Sequence, residues 1–182
     1  MKRNYTILFA ALLILFAATA RIVNREMHVP NFAPLAALGL FSGAVIKERR
    51  LALLVPILGQ LFADIFFQLF TQTPGFYDIY SQVFNYGGLA AAAYLGMRMT
   101  KPSTVNVLAY TFGASTLFFI LSNFGVWLAG WYGRSFDALV HTYKMAIPFF
   151  KYTIAGDMAG GVIFFGTYFL IQHALSSKMQ KA

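Results

Sequence analysis

Gln60, Asp64 and Gln68 recur at intervals of four, so a helix carrying them sets two amides and a carboxylate on one face. A second carboxylate, Asp157, follows Phe149, Phe150 and Lys151. Asn31 with Phe32, Asn85 with Tyr86, and Ser122-Asn123 ahead of Trp127 each set an amide near an aromatic ring. Such groups can grip a small molecule, the amides and carboxylates by hydrogen bonds and the rings as flat walls. Asp64 and Asp157 could instead form an acid–base pair, which requires close approach and one raised pKa. A structural role is also open, with Asp64 or Asp157 paired to Lys151, Arg21 or Arg25.

Several other chemistries lack their residues. No Gly-rich loop ending in Lys-Ser/Thr is present, so this chain has no P-loop for ATP. His28, His141 and His173 are scattered, no His-Glu-x-x-His occurs, and cysteine is absent, so neither a metal site nor a thiol nucleophile is expected. Gly113-Ala114-Ser115 does not complete a nucleophile elbow.

The elements that must position the polar groups are overwhelmingly apolar. Hydrophobic residues fill 59% of 182 positions and charged ones 11%, against roughly 25% charged in soluble domains. The apolar residues fall into runs at 5–20, 32–46, 51–70, 83–97, 105–129 and 153–174. A lone span in lipid must satisfy its own backbone, so each run is expected as a helix. The expected fold is all-α, a polytopic membrane protein with six transmembrane helices in one domain over 1–182. A short interfacial helix is expected over 135–147, where Phe136, Leu139, Val140, Tyr143 and Ile147 approach one face behind Ser135 as N-cap. Ala18-Thr19-Ala20 also fits a signal-peptide cleavage site, and cleavage there would leave five spans.

A net charge of +8 would suit nucleic acid. The basic residues, however, stand at the ends of the apolar runs, where they set topology, and no nucleic-acid partner is expected. With the N-terminus in the cytoplasm, Lys2, Arg3, Lys47, Arg49, Arg50, Arg98, Lys101, Lys178 and Lys181 lie inside. Arg21, Arg25, Arg134, Lys144 and Lys151 lie outside. Nine against five places both termini in the cytoplasm.

This orientation brings the polar groups to a common level. Asp64 and Gln68 fall late in the third run, Asn85 and Tyr86 early in the fourth, Asn123 and Trp127 late in the fifth, and Asp157 early in the sixth. The inner halves, at 51–58, 90–95 and 161–165, are apolar or small. A cavity open to the outside and closed below is expected. Gly39 and Gly43, then Gly88, Ala92 and Gly96, then Gly156 and Gly160, form ridges spaced by four. They suit close helix packing inside the bundle or a smooth face for a membrane partner.

Four segments carry a family resemblance. They are Pro30-Asn31-Phe32-Ala33-Pro34 leading into 37–44, Leu51-Ala52-Leu53-Leu54-Val55-Pro56 followed by Asp64, Ser122-Asn123-Phe124-Gly125-Val126-Trp127-Leu128, and Ala146-Ile147-Pro148-Phe149-Phe150-Lys151 with Gly156-Asp157. Together they resemble an uncharacterised bacterial membrane-protein family of Bacteroidetes type that looks like the substrate-binding S components of energy-coupling factor (ECF) transporters. The resemblance implies a six-helix bundle in the bacterial cytoplasmic (inner) membrane, an outward-facing pocket for a vitamin-like micronutrient, and coupling to a separate transmembrane subunit with ATPases. One departure stands out. The Ala-x-x-x-Ala docking ridge common in the first helix of S components is missing, since no pair among Ala10, Ala11, Ala17, Ala18 and Ala20 is spaced by four. A protein acting alone is therefore the other expectation.

The function expected is small-molecule binding and uptake, not catalysis, with no cofactor. Asn31, Asp64, Gln68, Asn85, Asn123 and Asp157 would supply hydrogen bonds, and Phe32, Tyr86, Trp127, Tyr143 and Phe149 the walls. Lys151 would either neutralise Asp157 or meet an anionic ligand group. A non-transporting subunit of a membrane complex and an intramembrane enzyme built on Asp64 and Asp157 are the alternatives.

Overall fold

The computed structural model describes residues 3–27, 32–72, 74–76, 78–100 and 102–179. These form six helices in chain order: α1 (Arg3–Glu26), α2 (Leu35–Val45), α3 (Arg49–Phe70), α4 (Ile79–Arg98), α5 (Thr104–Ala129) and α6 (Phe136–Met179). Among the described residues the only β-type pairing is an isolated bridge between Trp131 and Gly133. Asn4–Glu26, Arg49–Phe70, Thr104–Ala129 and Phe136–Ala174 are long and apolar enough to cross a membrane. Their outward residues are apolar as well: Leu8, Leu12 and Leu15 on α1, Phe62 on α3 and Ile163 on α6 are all exposed. Lipid tolerates such a surface, whereas water would drive its association.

Caps and breakers set the helix ends; α3 and α5 finish with their apolar runs at Phe70 and Ala129, whereas several other ends depart from theirs. α1 continues past Ala20 to Glu26 because residues 21–26 contain charge but neither Gly nor Pro. α4 begins four residues before its apolar run. There the Asp78 carboxylate accepts from the Ser81 N–H at 2.8 Å and from the Ser81 hydroxyl at 2.7 Å, an N-cap. α5 ends at Gly130, which takes the left-handed conformation at φ 82°. The expected interfacial helix and sixth span are a single helix of 44 residues. Pro148 lies inside it, and nothing at 148–152 supplies a left-handed cap, so the chain stays helical across the proline.

α2 occupies the centre and touches all five other helices. Nine of its eleven residues are buried, so it is apolar on every side, as a helix surrounded by helices must be. Its tightest neighbour is α4. A Cβ at Gly43 would overlap the Ala93 carbonyl, and one at Gly96 would overlap the Leu40 carbonyl, so the two backbones meet where side chains are missing. Gly88 abuts Phe118, Gly156 the Phe32 carbonyl and Gly160 the Pro34 ring. All three small-residue ridges are therefore engaged inside the bundle.

The contacts also fix direction. Gly39 meets Leu89 and Ala92 while Gly43 meets Ala93 and Met97, so α2 and α4 are parallel. α6 follows them, since Gly156 and Gly160 meet residues 32–34 and Phe165 meets Phe41 with ring centroids 5.1 Å apart. α5 opposes α4, because Gly88 meets Phe118 and Gly125 meets Tyr80 and Phe84. α1 and α3 run together, with Ala17 against Gly59 and Arg25 against Phe67. At the end where α1, α3 and α5 begin, Ala10, Leu40, Phe41, Val55, Val107 and Phe165 join one closed apolar core. The Ser42 hydroxyl lies between two carbonyls within this core, 2.9 Å from that of Gly39 and 2.8 Å from that of Ala52, and shares its one proton between them.

Candidate functional site

At the opposite end, where α1, α3 and α5 finish, a cavity of about 720 Å³ receives side chains from all six helices. Its floor is the first turn of α2. A helix start leaves backbone N–H groups without partners, and Pro34 at the N-cap has no side chain to offer them. Asp157 from α6 supplies the acceptor. One carboxylate oxygen takes the Ala37 N–H at 3.0 Å and the other takes the Ser115 hydroxyl of α5. A carboxylate at a helix N-terminus is also favoured by the helix dipole. The alternative that Lys151 neutralises Asp157 is thus corrected. Lys151 is exposed, with its ammonium 4.9 Å from the Tyr152 ring centroid, and α2 takes the place of a cation.

One wall is a polar network between α1, α3 and α4. Arg21 donates through Nη2 to Asp64 at 2.8 Å and through Nη1 to the Gln60 side-chain oxygen at 2.7 Å. The Tyr86 hydroxyl donates to the second Asp64 oxygen at 2.8 Å, and the Gln60 amide nitrogen lies 3.3 Å from both oxygens. Asp64 is fully buried, and this pairing is what makes its burial tolerable. Arg25, one turn beyond Arg21, shares its face. The two guanidinium carbons lie 5.3 Å (Arg25) and 5.7 Å (Arg21) from the same Phe67 ring centroid.

The other walls are aromatic and amide. Phe119 and Phe150 stack at 4.3 Å with planes 25° apart. The Asn123 amide donates to the Phe119 carbonyl at 2.8 Å, which leaves its own oxygen available, and Asn85 lines the cavity with no hydrogen bond to any of the described residues. Trp131 and Tyr132 reach the cavity from the α5–α6 turn, which Gly130 and Gly133 shape with φ of 82° and 96°. The Trp131 indole donates to Asp78 at 2.9 Å and so ties this turn to the start of α4. Partial burial alone would raise the Asp78 carboxyl, but the hydrogen bonds from Ser81 and Trp131 outweigh it and hold the group below its ordinary 3.8.

Among the residues singled out from sequence, Asn85, Asn123, Phe149 and Asp157 line the cavity. Asp64 and Tyr86 stand behind Arg21 as its support. Five others do not line it. Phe32 is exposed; Gln68 is exposed and accepts from the Gly75 N–H at 3.2 Å; the Trp127 indole donates to the Ser135 carbonyl at 3.1 Å; the Tyr143 hydroxyl donates to the Ile120 carbonyl at 2.7 Å; Lys151 lies outside. Asn31 falls outside the described residues. Asp64 and Asp157 share no hydrogen-bond partner, and no three metal-ligating side chains gather among the described residues.

Sequence reasoning missed Arg25, Asn24, Phe118, Phe119, Trp131 and Tyr132 as lining residues, and cast Arg21 only as a partner for a carboxylate. The two arginines carried a usable signal, because a spacing of four on an unbroken helix puts them on one face. The paired phenylalanines carried none, since they sit within an apolar run.

Residues 1–179 match the model of a family described as a family of unknown function, DUF6580. No curated protein and no solved structure matches the chain.

Proposed function

The chain belongs to the DUF6580 family, and we propose that it is a membrane-embedded small-molecule binding and uptake protein of the bacterial inner membrane. In this reading the bundle is S-component-like, crosses the membrane several times, keeps both termini in the cytoplasm and opens its cavity to the outside. The observation that carries the proposal is the cavity itself. Its volume of about 720 Å³ falls in the range of roughly 300–1,000 Å³ typical of ligand sites. All six helices line it with convergent amides, guanidinium groups and rings, while the far end is packed shut.

The chain has no P-loop, so accumulation against a gradient would draw energy from elsewhere. α1 turns Ala10, Ala17 and Ala18 inward and presents Leu8, Leu12 and Leu15 outward. That outer face is too bulky for small-residue docking of a coupling subunit, and we propose uptake that does not depend on docking through α1.

Native mass spectrometry of protein purified from its own host tests the reading. One small molecule per chain is expected, lost when Ala146→Trp fills the cavity in a protein that still folds. Wild-type protein carrying only lipid and detergent, or equal retention by Ala146→Trp, would overturn it.

A further inference from the structure

We infer that the molecule held in this cavity is an anion, a carboxylate or phosphate ester borne on a flat ring, and that Arg25 is the residue that recognises its charge. The inference rests on reading the cavity as a ligand site and adds the class of ligand.

It follows from an imbalance at the mouth. Two guanidinium groups sit over one ring, Phe67, within one helical turn of each other. Among the described residues the only carboxylate within ion-pair distance of either is Asp64, and it bonds Arg21. Both Asp64 oxygens are occupied, by Arg21 and Tyr86, so Asp64 has little to offer Arg25. Asp157 is likewise filled, by the Ala37 N–H and the Ser115 hydroxyl. Arg25 therefore lines the cavity as a cation without an anion or any hydrogen-bond acceptor from the described residues.

Arg25 is exposed and can be solvated, so a neutral guest would gain nothing from its charge. A cationic guest would be repelled by Arg25, whereas Arg21 is already paired with Asp64. A planar carboxylate or phosphate accepts two parallel N–H bonds from a guanidinium, and Phe67 holds the Arg25 fork against its ring so that less freedom is lost on binding. The rest of the ligand is set by the remaining lining. Phe118, Phe119, Phe149 and Trp131 present ring surface, which favours a flat ring over an aliphatic chain.

Matched probes on delipidated protein in detergent test this. Benzoate, 2-naphthoate, indole-3-acetate and phenyl phosphate are each set against benzamide, 2-naphthamide, indole-3-acetamide and phenol. Acetate and inorganic phosphate serve as anions without a ring, and phosphatidylglycerol as the lipid source of the same charge. Thermal shift and quenching of tryptophan fluorescence are read. At least one charged, ring-bearing probe is expected to bind about tenfold or more tightly than its uncharged counterpart. Arg25→Gln should bring that pair to within about twofold, and Arg25→Lys should restore part of the gap. Arg25 is exposed at the end of α1, so both variants are expected to fold.

Equal or tighter binding of the uncharged members overturns the inference, as does binding of none of the charged ones. Stabilisation by phosphatidylglycerol alone also overturns it, since the charge would then belong to a lipid contact. A neutral molecule found on protein from the native host would sink this inference while leaving the binding function intact. An empty cavity there would sink that function.

Discussion

At the closed end of the bundle, α2 and α4 meet through Gly43 and Gly96 with no side chain between them. At the open end the helices are fixed by polar links that hold their ends without filling the space between, namely Arg21 to Asp64, Asp157 to Ala37 and Trp131 to Asp78. The first kind of contact gains stability by removing atoms, because backbones approach until dispersion is close to its maximum. The second gains it by directed bonds between a few buried groups. A bundle of apolar helices can thus stay rigid around a cavity, provided each buried charge at the open end has its partner.

The largest expected effect breaks the open end. Asp64→Ala leaves the Arg21 cation without its carboxylate and should cost about 3–5 kcal/mol, read by chemical unfolding in detergent. The double change Arg21→Met with Asp64→Leu should recover most of that loss, because it removes both charges together. A double variant no more stable than Asp64→Ala would mean that the network holds the helices by more than charge balance.

A smaller effect tests the closed end. Gly43→Ala sets one methyl against the Ala93 carbonyl, and relief requires α2 and α4 to separate. The expected cost is about 1–3 kcal/mol. At the open end Ala146→Leu adds more atoms and should stay within about 0.5 kcal/mol, since its side chain has the cavity to enter. Equal costs at the two sites would erase the distinction between the ends.

The smallest effect is a pH dependence at the rim. Asp78 has its carboxyl held below the ordinary 3.8 in the folded chain. Its contribution is therefore complete above that value and is lost as pH falls below it toward the lowered one. The Trp131 emission should shift in acid over that window in wild-type protein. Asp78→Asn should abolish the transition, and a transition that persists in that variant would assign it to another carboxylate.

How much of this was legible in sequence differs between the two ends for the same physical reasons. The Gly and Ala ridges at spacings of four were plain, and their engagement inside the chain follows from steric fit. The periodicity of Gln60 and Asp64 likewise marked a polar face. Pairing of Asp64 with Arg21 was among the alternatives the sequence offered, and it is the one formed. What stayed hidden was that Arg21 and Arg25 line the cavity, because they sit just beyond an apolar run, where cations ordinarily mark the membrane border. The helix carries on through them, and that continuation turns border charges into cavity charges. Trp127 and Tyr143 illustrate the opposite error. Their types and level suited a binding wall, but each polar atom is engaged by a backbone carbonyl in the α5–α6 region, a pairing that only the turn geometry reveals. Asp157 stood out by its residue type, whereas its task depended on a proline 123 positions earlier (157 − 34) failing to cap a helix.

The start of α2 at Pro34 has one more effect, on depth. α2 has 11 residues and so rises only ~16 Å at 1.5 Å per residue. α5, with 26 residues, rises ~39 Å by the same measure. The central post is less than half the height of this wall, and the well exists because the post stops short. Its floor is wherever α2 begins, and Pro34 with Asp157 sets that level. Guest size is then a matter of register: each extra turn added before Leu35 would raise the floor by ~5 Å, and each turn removed would deepen the well by the same step.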